Sequence, residues 1–455
     1  MFDRLKWFWR SIKSMFERND IKSVVGGDVE LTAKLIDNID LWQSMLTGDA
    51  PWNAKAPSLG LALGVCREFA DIAINEMDAK IEDNEPLDEL FQNAIKDLNE
   101  NLQDGLALGS MIIKPLLEGR VEYINADNFM PVRFANGKPV DCIFVERKQL
   151  DEARYFHRLE RHTLTNAGLT ITNTAYFSSS ASVIGTRTNL ADVPEWADLP
   201  EEITYPGMDK MDFGYYRNPI KNRIDNSQCG VSVYSGPAVD RIRAADIQAA
   251  RLDWEYESGE RAIHVDDRAL KYSRDYEGGR MPKLNERLYR GMNLAVDKGE
   301  LLKEYSPEMR DASFREGLES ILRQVEFSVG LAFGDLSDAQ YVEKTATEIR
   351  SAKQRKYNRV SAIQENLRTC LEDLADALAF YNSKYTTSYS LTCAFNDSIL
   401  TDEEAERQQD RNDVSMGVMK LEEYRAKWYG EDLETAAANL PEAAGSVIDN
   451  MGLEQ

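Results

Sequence analysis

Histidine and cysteine are scarce in this sequence. Three histidines in 455 residues, at positions 157, 162 and 264, leave little imidazole for acid–base chemistry or metal ligation. His157 and His162 stand five apart, in HRLERH, within a segment patterned as a strand. That odd spacing sends them to opposite faces, so a shared metal is not expected. His264 stands alone. The five cysteines, Cys66, Cys142, Cys229, Cys370 and Cys393, include no CxxC pair. No zinc spacing or disulfide framework follows from them, and buried reduced thiols in a cytoplasmic product are expected.

The chain has no GxxxxGK[ST] phosphate loop and no GxSxG elbow. Gly26-Gly27 is a lone pair in a polar setting and reads as a turn. Asp266 and Asp267 are adjacent, so on a strand they point apart and read as solvated surface. No catalytic, cofactor-binding or metal-binding residue can be named, and the expectation is a protein that is not an enzyme. No run of 18 uncharged apolar residues exists, so no spanning helix is expected. The N-terminus lacks an apolar core followed by a small-residue cleavage site, so neither is a cleavable signal.

What the chain has in excess is acid. Asp and Glu total 78 against 54 Lys and Arg, a formal charge of -24. Such a balance disfavours non-specific adhesion to nucleic acid and to anionic membranes, but not a protein that surrounds DNA without gripping it. One stretch runs against this trend. KTATEIRSAKQRKYNRV, positions 344–360, holds Lys344, Arg350, Lys353, Arg355, Lys356 and Arg359 against one acid, Glu348. Thr345 and Glu348 are spaced as a capping box. Val360, Ile363, Leu367, Leu371, Leu374 and Leu378 then repeat at steps of three and four, an apolar seam. The helix is basic in its first half and core-forming in its second.

A length of 455 residues suits two or three domains. Phe2, Leu5, Trp9, Ile12 and Phe16 make one face of an N-terminal helix with basic residues around it, and docking on protein is favoured over a membrane surface. Positions 28–117 are mainly helical in pattern. Strand-like runs then surround Asn136-Gly137, suited to a type I′ turn, and a second hairpin turns at Asn166-Ala167-Gly168. Positions 186–226 read as an irregular surface connection. A long helix follows over 235–260, with Ser235 as cap, Pro237 in the first turn and Gly259 near the end. The last 25 residues hold six acids and no base.

Several stretches together resemble one family, the portal proteins of tailed bacteriophages, nearest to those of long-tailed phages of Gram-positive hosts. They are DLWQSMLTGDAPW, RLERHTLTNAGLTITNTAYFSS, FGYYRNPIKNRIDNSQCGVSVYSGPAVDRIRAADIQ, YSPEMRDASFREGLESIL, KTATEIRSAKQRKYNRV, and FNDSILTDEEAERQQD with MGVMKLEEYRAKWYG. No single one is as specific as a phosphate loop; their order and spread over about 38–430 carry the likeness. The acidic tail, the 186–226 connection and the boundaries of the clip match no family pattern.

The resemblance implies an α+β portal fold. It divides the chain into an N-terminal wing of helices and β-hairpins (1–234), a stem helix (235–262), a small α/β clip (263–293), a tunnel-loop region (294–312), C-terminal wing helices (313–430) and an acidic tail or crown (431–455). It further implies a dodecameric ring at one capsid vertex of the virion, assembled in the host cytoplasm. Double-stranded DNA would pass through it without sequence specificity. The implied partners are the terminase large subunit, a head–tail adaptor, and the major capsid and scaffold proteins. Within that scheme Lys298, Lys303 and Arg310 are candidates for weak phosphate contacts, unless they only balance Glu300, Glu304 and Glu308. The basic half-helix from Lys344 to Arg359 is expected to meet acidic surface on the adjacent subunit. The alternatives are another virion component, such as a minor capsid or neck protein, a membrane-attached assembly protein using residues 1–20, and a metal-dependent nuclease.

Overall fold

The computed structural model describes residues 25, 29–116, 119–151, 154–179, 184–266, 288–292, 302–338, 346–382, 388–395 and 403–440. The N-terminal amphipathic helix, Gly26-Gly27, Asp267, Lys298, Lys344, the Thr345 cap and the tail beyond residue 440 lie outside them. The fold is α+β, as expected, and it divides into two compact units at Phe395–Asn396. That boundary falls inside the segment expected to be a single run of wing helices. Among the described residues no helix is long and apolar enough to cross a membrane.

The first unit opens with helix α1 (Ala33–Leu46), capped by Thr32, whose hydroxyl accepts from the Leu35 amide. Helix α2 (Leu61–Ile74) and strand β1 (Met77–Glu82) follow. Helices α3 (Glu85–Ile95) and α4 (Leu98–Leu108) complete the helical layer. Their apolar stripes close on one another, and Trp42, Phe69, Phe91 and Leu102 are fully buried. The chain then changes period. Strands β2 (Ser110–Pro115) and β3 (Val121–Asn125) pair antiparallel, and β4 (Phe129–Ala135), β5 (Lys138–Asp151), β6 (Arg154–Thr165) and β7 (Gly168–Ser178) run antiparallel in order in a second sheet.

Both hairpins form. Asn136 (φ 52°) and Gly137 (φ 81°) connect Ala135 to Lys138 with the two positive φ values of a type I′ turn. In the second hairpin the turn is Asn166-Ala167 alone. Gly168 already pairs with Thr165 as the first residue of β7. Glycine is required there because a Cβ would stand 2.3 Å from the Tyr205 carbonyl oxygen.

The stretch 186–226, expected to be irregular, contributes three strands. They are β8 (Thr186–Thr188), β9 (Glu202–Tyr205) and β10 (Gly214–Arg217). Strands of three or four residues are too short to show alternation, which is why the pattern hid them. β8 and β9 extend the β4–β5–β6–β7 sheet along β7, and β10 joins β2 and β3. Trp196, on a single 3-10 turn (Pro194–Trp196), closes a small core over this sheet with Phe156, Ala175, Leu190 and Val193.

Beyond helix α5 (Pro237–Ser258), strands β11 (Ala262–Asp266), β12 (Tyr289–Met292) and β13 (Leu302–Tyr305) form a separate sheet. In it β11 is parallel to β12 and antiparallel to β13. Helix α6 (Asp311–Val329) returns, and helix α7 (Ala346–Tyr381) runs 36 residues to the end of the core. The predicted seam is real: Val360, Ile363, Leu367, Leu371, Leu374 and Leu378 have no exposed surface. They pack against β10, β2, α2 and α3. Gly214 of β10 lies so close to α7 that a Cβ would stand 2.5 Å from the Cys370 carbonyl. Strand β14 (Ser390–Phe395) then pairs antiparallel with β1, joining the unit's first strand to its last.

The second unit holds helices α8 (Glu403–Ser415), α9 (Leu421–Tyr429) and α10 (Leu433–Ala438). Its ties are polar. Asp410 accepts from Lys427 at 2.7 Å and from the Trp428 indole at 2.8 Å, and Arg425 holds Glu431 bidentately at 2.7 and 3.1 Å. Ala436 is the one buried side chain among its described residues.

A charged network ties the large sheet to α7. His162 on β6 is 1% exposed and sits between two carboxylates, Nδ1 at 2.8 Å from Asp212 and Nε2 at 2.8 Å from Glu160. The Tyr381 hydroxyl, at the end of α7, donates to the other oxygen of Asp212. Lys114 (3.2 Å) and Arg158 (3.0 Å) complete the shell around Glu160. Burial opposes a charged imidazole, but the Asp212 and Glu160 carboxylates outweigh it and lift the ring to about 9. Burial likewise opposes both carboxylates, yet His162 and its neighbours hold them below their ordinary range.

The raised ring contributes its full stability below about pH 6.5 and loses it as pH rises through about 9. The depressed carboxylates contribute above their ordinary range and lose that contribution in acid. Thermal melts across pH should therefore show a plateau between about pH 5 and pH 8. His162→Gln should lower stability by about 3–5 kcal/mol, because it leaves buried carboxylates uncompensated, and should erase the alkaline limb. A variant as stable as the parent at pH 7 would show that the bridge is not structural.

Candidate functional site

Helix α5 has the composition of a surface on every side. In 22 residues it buries only Ala238, Ile242, Ala245, Asp246 and Glu255. Ser235 does not cap it. The N-cap is Gly236, at φ 71°, with Pro237 at the first helical position. A helix this long with so small a stripe is held by a few specific contacts.

Helix α6 lies antiparallel along α5. Glu255 stands level with Arg310, Gln248 with Gly317, and Arg241 with Gln324. Gly317 lets the backbones approach, since its Cβ would meet the Gln248 amide at 3.1 Å. Arg310 closes the lower end. Its guanidinium grips Glu255 bidentately at 3.1 and 2.7 Å, and its backbone N–H donates to the same carboxylate at 2.9 Å. Hydrogen bonds from Arg310 hold the Glu255 carboxyl below its ordinary value, and the Arg310 guanidinium is raised in return.

On the far side of α5, Asp246 is 1% exposed and gathers the loop that follows α1. It accepts from the Trp52 indole at 2.8 Å, the Asn53 amide at 3.2 Å and the Leu59 backbone at 2.9 Å. This residue had a legible signal. It is the lone acid in the apolar run AADIQAA, where a solvated acid would have served no packing purpose.

The candidate phosphate contacts are dispersed. Lys303 lies on β13 opposite His264 of β11, on a strand instead of a loop, and is exposed. Arg310 is open to solvent on one side, but its charge is already matched by Glu255. Lys298 lies outside the described residues. Together α5 and α6 carry nine acids against five bases, so this helix pair presents net negative charge.

The basic half of α7 is divided by its own helix. Lys353 is exposed. Lys356 is 11% exposed and bridges Glu68 of α2 at 2.8 Å and Asp335 at 3.0 Å. Arg359 packs over Gly330, and burial pushes its guanidinium below the ordinary value. Arg355 stands over the rings of Phe327 (4.8 Å) and Phe333 (5.6 Å). These three were expected to face a neighbouring subunit, and the structure turns them onto their own chain. The side chain of Arg350 lies outside the described residues. Glu326, fully buried on α6, fixes the turn they press against by accepting from the amides of Gly334, Leu336 and Ser337.

His157 and His162 do point to opposite faces, and both are buried. Burial lowers His157 to about 4, so it is neutral at physiological pH. Four of the five cysteines are buried and the fifth is half-buried. A cavity of about 760 Å³ lies between the β2–β3 and β5–β6 strands, lined by Lys114, Glu122, Phe144, Arg158, Glu160 and Tyr381. Its charges are spent on one another: Arg158 reaches Glu146 at 2.9 Å as well as Glu160. No cluster suited to a metal ion occurs among the described residues.

No protein-family model and no curated protein matches the chain. Among solved structures, a chain from the "Neck of native GTA particle computed with C12 symmetry" is similar with a TM-score of 0.42 and 14% identity. The match covers 85% of this chain and 92% of that one. A likeness at that level does not identify a fold family.

The division of α7 gives a direct contrast. Lys356→Glu should cost about 3 kcal/mol, because it sets a third acid beside Glu68 and Asp335, while Lys353→Glu should change stability by less than about 0.5 kcal/mol. Urea unfolding of both variants measures this, and equal effects would contradict the inward orientation of Lys356. Asp246→Ala should leave the Trp52 indole, the Asn53 amide and the Leu59 N–H without this acceptor and cost about 1–3 kcal/mol. Amides of residues 50–60 should then exchange faster by hydrogen–deuterium exchange.

Proposed function

We propose that the chain is the portal subunit of a tailed bacteriophage. In this reading it is a passive ring of twelve copies at one capsid vertex, through which double-stranded DNA is packaged and later released. The observation that carries the proposal is α5, a 22-residue helix with five buried residues and an exposed tryptophan at its lower end. Such a helix is unfinished in a lone chain, and side-by-side packing of copies would complete it. It lies in the stretch whose sequence resembles the approach to the stem of portal proteins.

The electrostatics support the same reading. A bore through which a duplex must slide cannot bind phosphates tightly, because each neutralised phosphate adds to the attraction. An acidic α5–α6 pair, with Arg310 matched to Glu255, keeps the duplex centred without holding it. The sheet of β11, β12 and β13, at the end of α5, is then the surface offered to terminase during packaging and to a head–tail adaptor afterwards. Nothing in this mechanism requires a reaction centre or a cofactor in the chain. Its place is the virion.

Class averages of negatively stained full-length protein should show closed rings with a central hole. Filter binding at 150 mM salt should show no measurable affinity for linear duplex DNA. A protein that stays monomeric at tens of micromolar overturns the proposal.

A further inference from the structure

We propose that neighbouring copies join through a sign-matched stripe, with the Trp254 indole of one copy set into a groove on α6 of the next. The inference rests on the ring reading above and names the contact that would close the ring.

One face of α5 carries Asp240, Ile247, Arg251 and Trp254, spaced seven, four and three apart, which aligns them along the helix. Trp254 is 65% exposed, an unusual position for an indole. On α6, Ala312, Glu316, Glu319 and Arg323 repeat at steps of four, three and four, on the side turned away from α5. With Arg315 these residues line a groove of about 290 Å³. Among the described residues Asp240, Arg251 and Glu316 have no ion-pair partner, and the Arg323 Nε is closed off from solvent without a hydrogen bond. Both faces are polar stripes with an apolar element; Glu319 accepts from the Asp338 amide at 2.9 Å and Arg251 reaches Gln248 at 3.5 Å, while no ion pair within the described residues engages Asp240, Arg251 or Glu316.

With α5 and α6 set along the ring axis, a cyclic ring relates copies by rotation without translation along it, so residues level with one another in one copy stay level across the contact. The antiparallel register of α5 and α6 fixes those levels. Continuing from the observed pairs, Arg323 is level with Ile242, Glu316 with Ala249 and Ala312 with Asp253. Asp240 is two residues from the level of Arg323, Arg251 is two from Glu316, and Trp254 is one from Ala312. At about 1.5 Å of rise per residue these offsets are no more than roughly 3 Å. The stripe on α5 reads acid, isoleucine, base, indole, and the groove reads base, acid, acid, alanine, with Glu319 beside Ile247. The signs oppose at the Asp240–Arg323 and Arg251–Glu316 levels, and the small residue lies where the large one arrives. The two faces differ, so the contact is head-to-tail, the type that closes a ring instead of a dimer.

Mass photometry of the full chain at low salt tests this, with circular dichroism melts confirming that each variant is folded. Arg251→Glu and Glu316→Arg should each raise the concentration needed for assembly about tenfold, since each sets like charges together. The double exchange should return it to within about threefold of the parent. Trp254→Ala should raise it by about tenfold or more, with the melting temperature of the monomer unchanged. Parent rings that form equally well in the single variants, or a double exchange that rescues nothing, overturn the contact and leave the ring reading standing. A parent chain that never assembles overturns the ring reading instead.

Discussion

The apolar seam of α7 is the constraint to which the rest of the first unit is fitted. Its six side chains, Val360 to Leu378, are fully buried. The β10–β2–β3 sheet, α2 and α3 all close on it. Once that seam is inside, helical periodicity leaves no freedom to the residues one turn earlier. Lys356 and Arg359 precede Val360 and Ile363 by four, so they continue the same stripe. They are carried inward, and Glu68, Asp335 and the 331–338 turn are arranged to receive them.

The basic helix therefore serves its own chain in part. Lys356 compensates two acids, while Arg355 and Arg359 pack on Phe327, Phe333 and Gly330. The same economy recurs at His162, between Asp212 and Glu160, and at Arg310 on Glu255. Each carries a charge into a position where only one geometry satisfies it, and removing a single partner is costly even though the intact set adds little net stability. Such sets fix register more than they add binding. In these cases they fix α7 against the sheet and α6 against α5.

What the inward bases leave exposed is the α5–α6 pair. It is held at its lower end by Arg310 and on its far side by Asp246, while its remaining surface is a mixed polar face with one large indole. It is the surface on which the proposed ring contact draws. The second unit shows a comparable imbalance, with one buried side chain among its described residues and Met416, Val418 and Leu433 exposed.

The sequence alone determined the elements whose signal is local: the α7 seam, the Asn136-Gly137 turn and the span of α5. Each follows from spacing or from a backbone preference that neighbours along the chain suffice to express. Tertiary structure decided what depends on residues far apart. It turned Lys356 and Arg359 inward, paired Arg310 with Glu255, and placed Lys303 on a strand. It also built β8, β9 and β10 from segments too short to show a period, because a three-residue strand exists only where another strand's open edge supplies its hydrogen bonds.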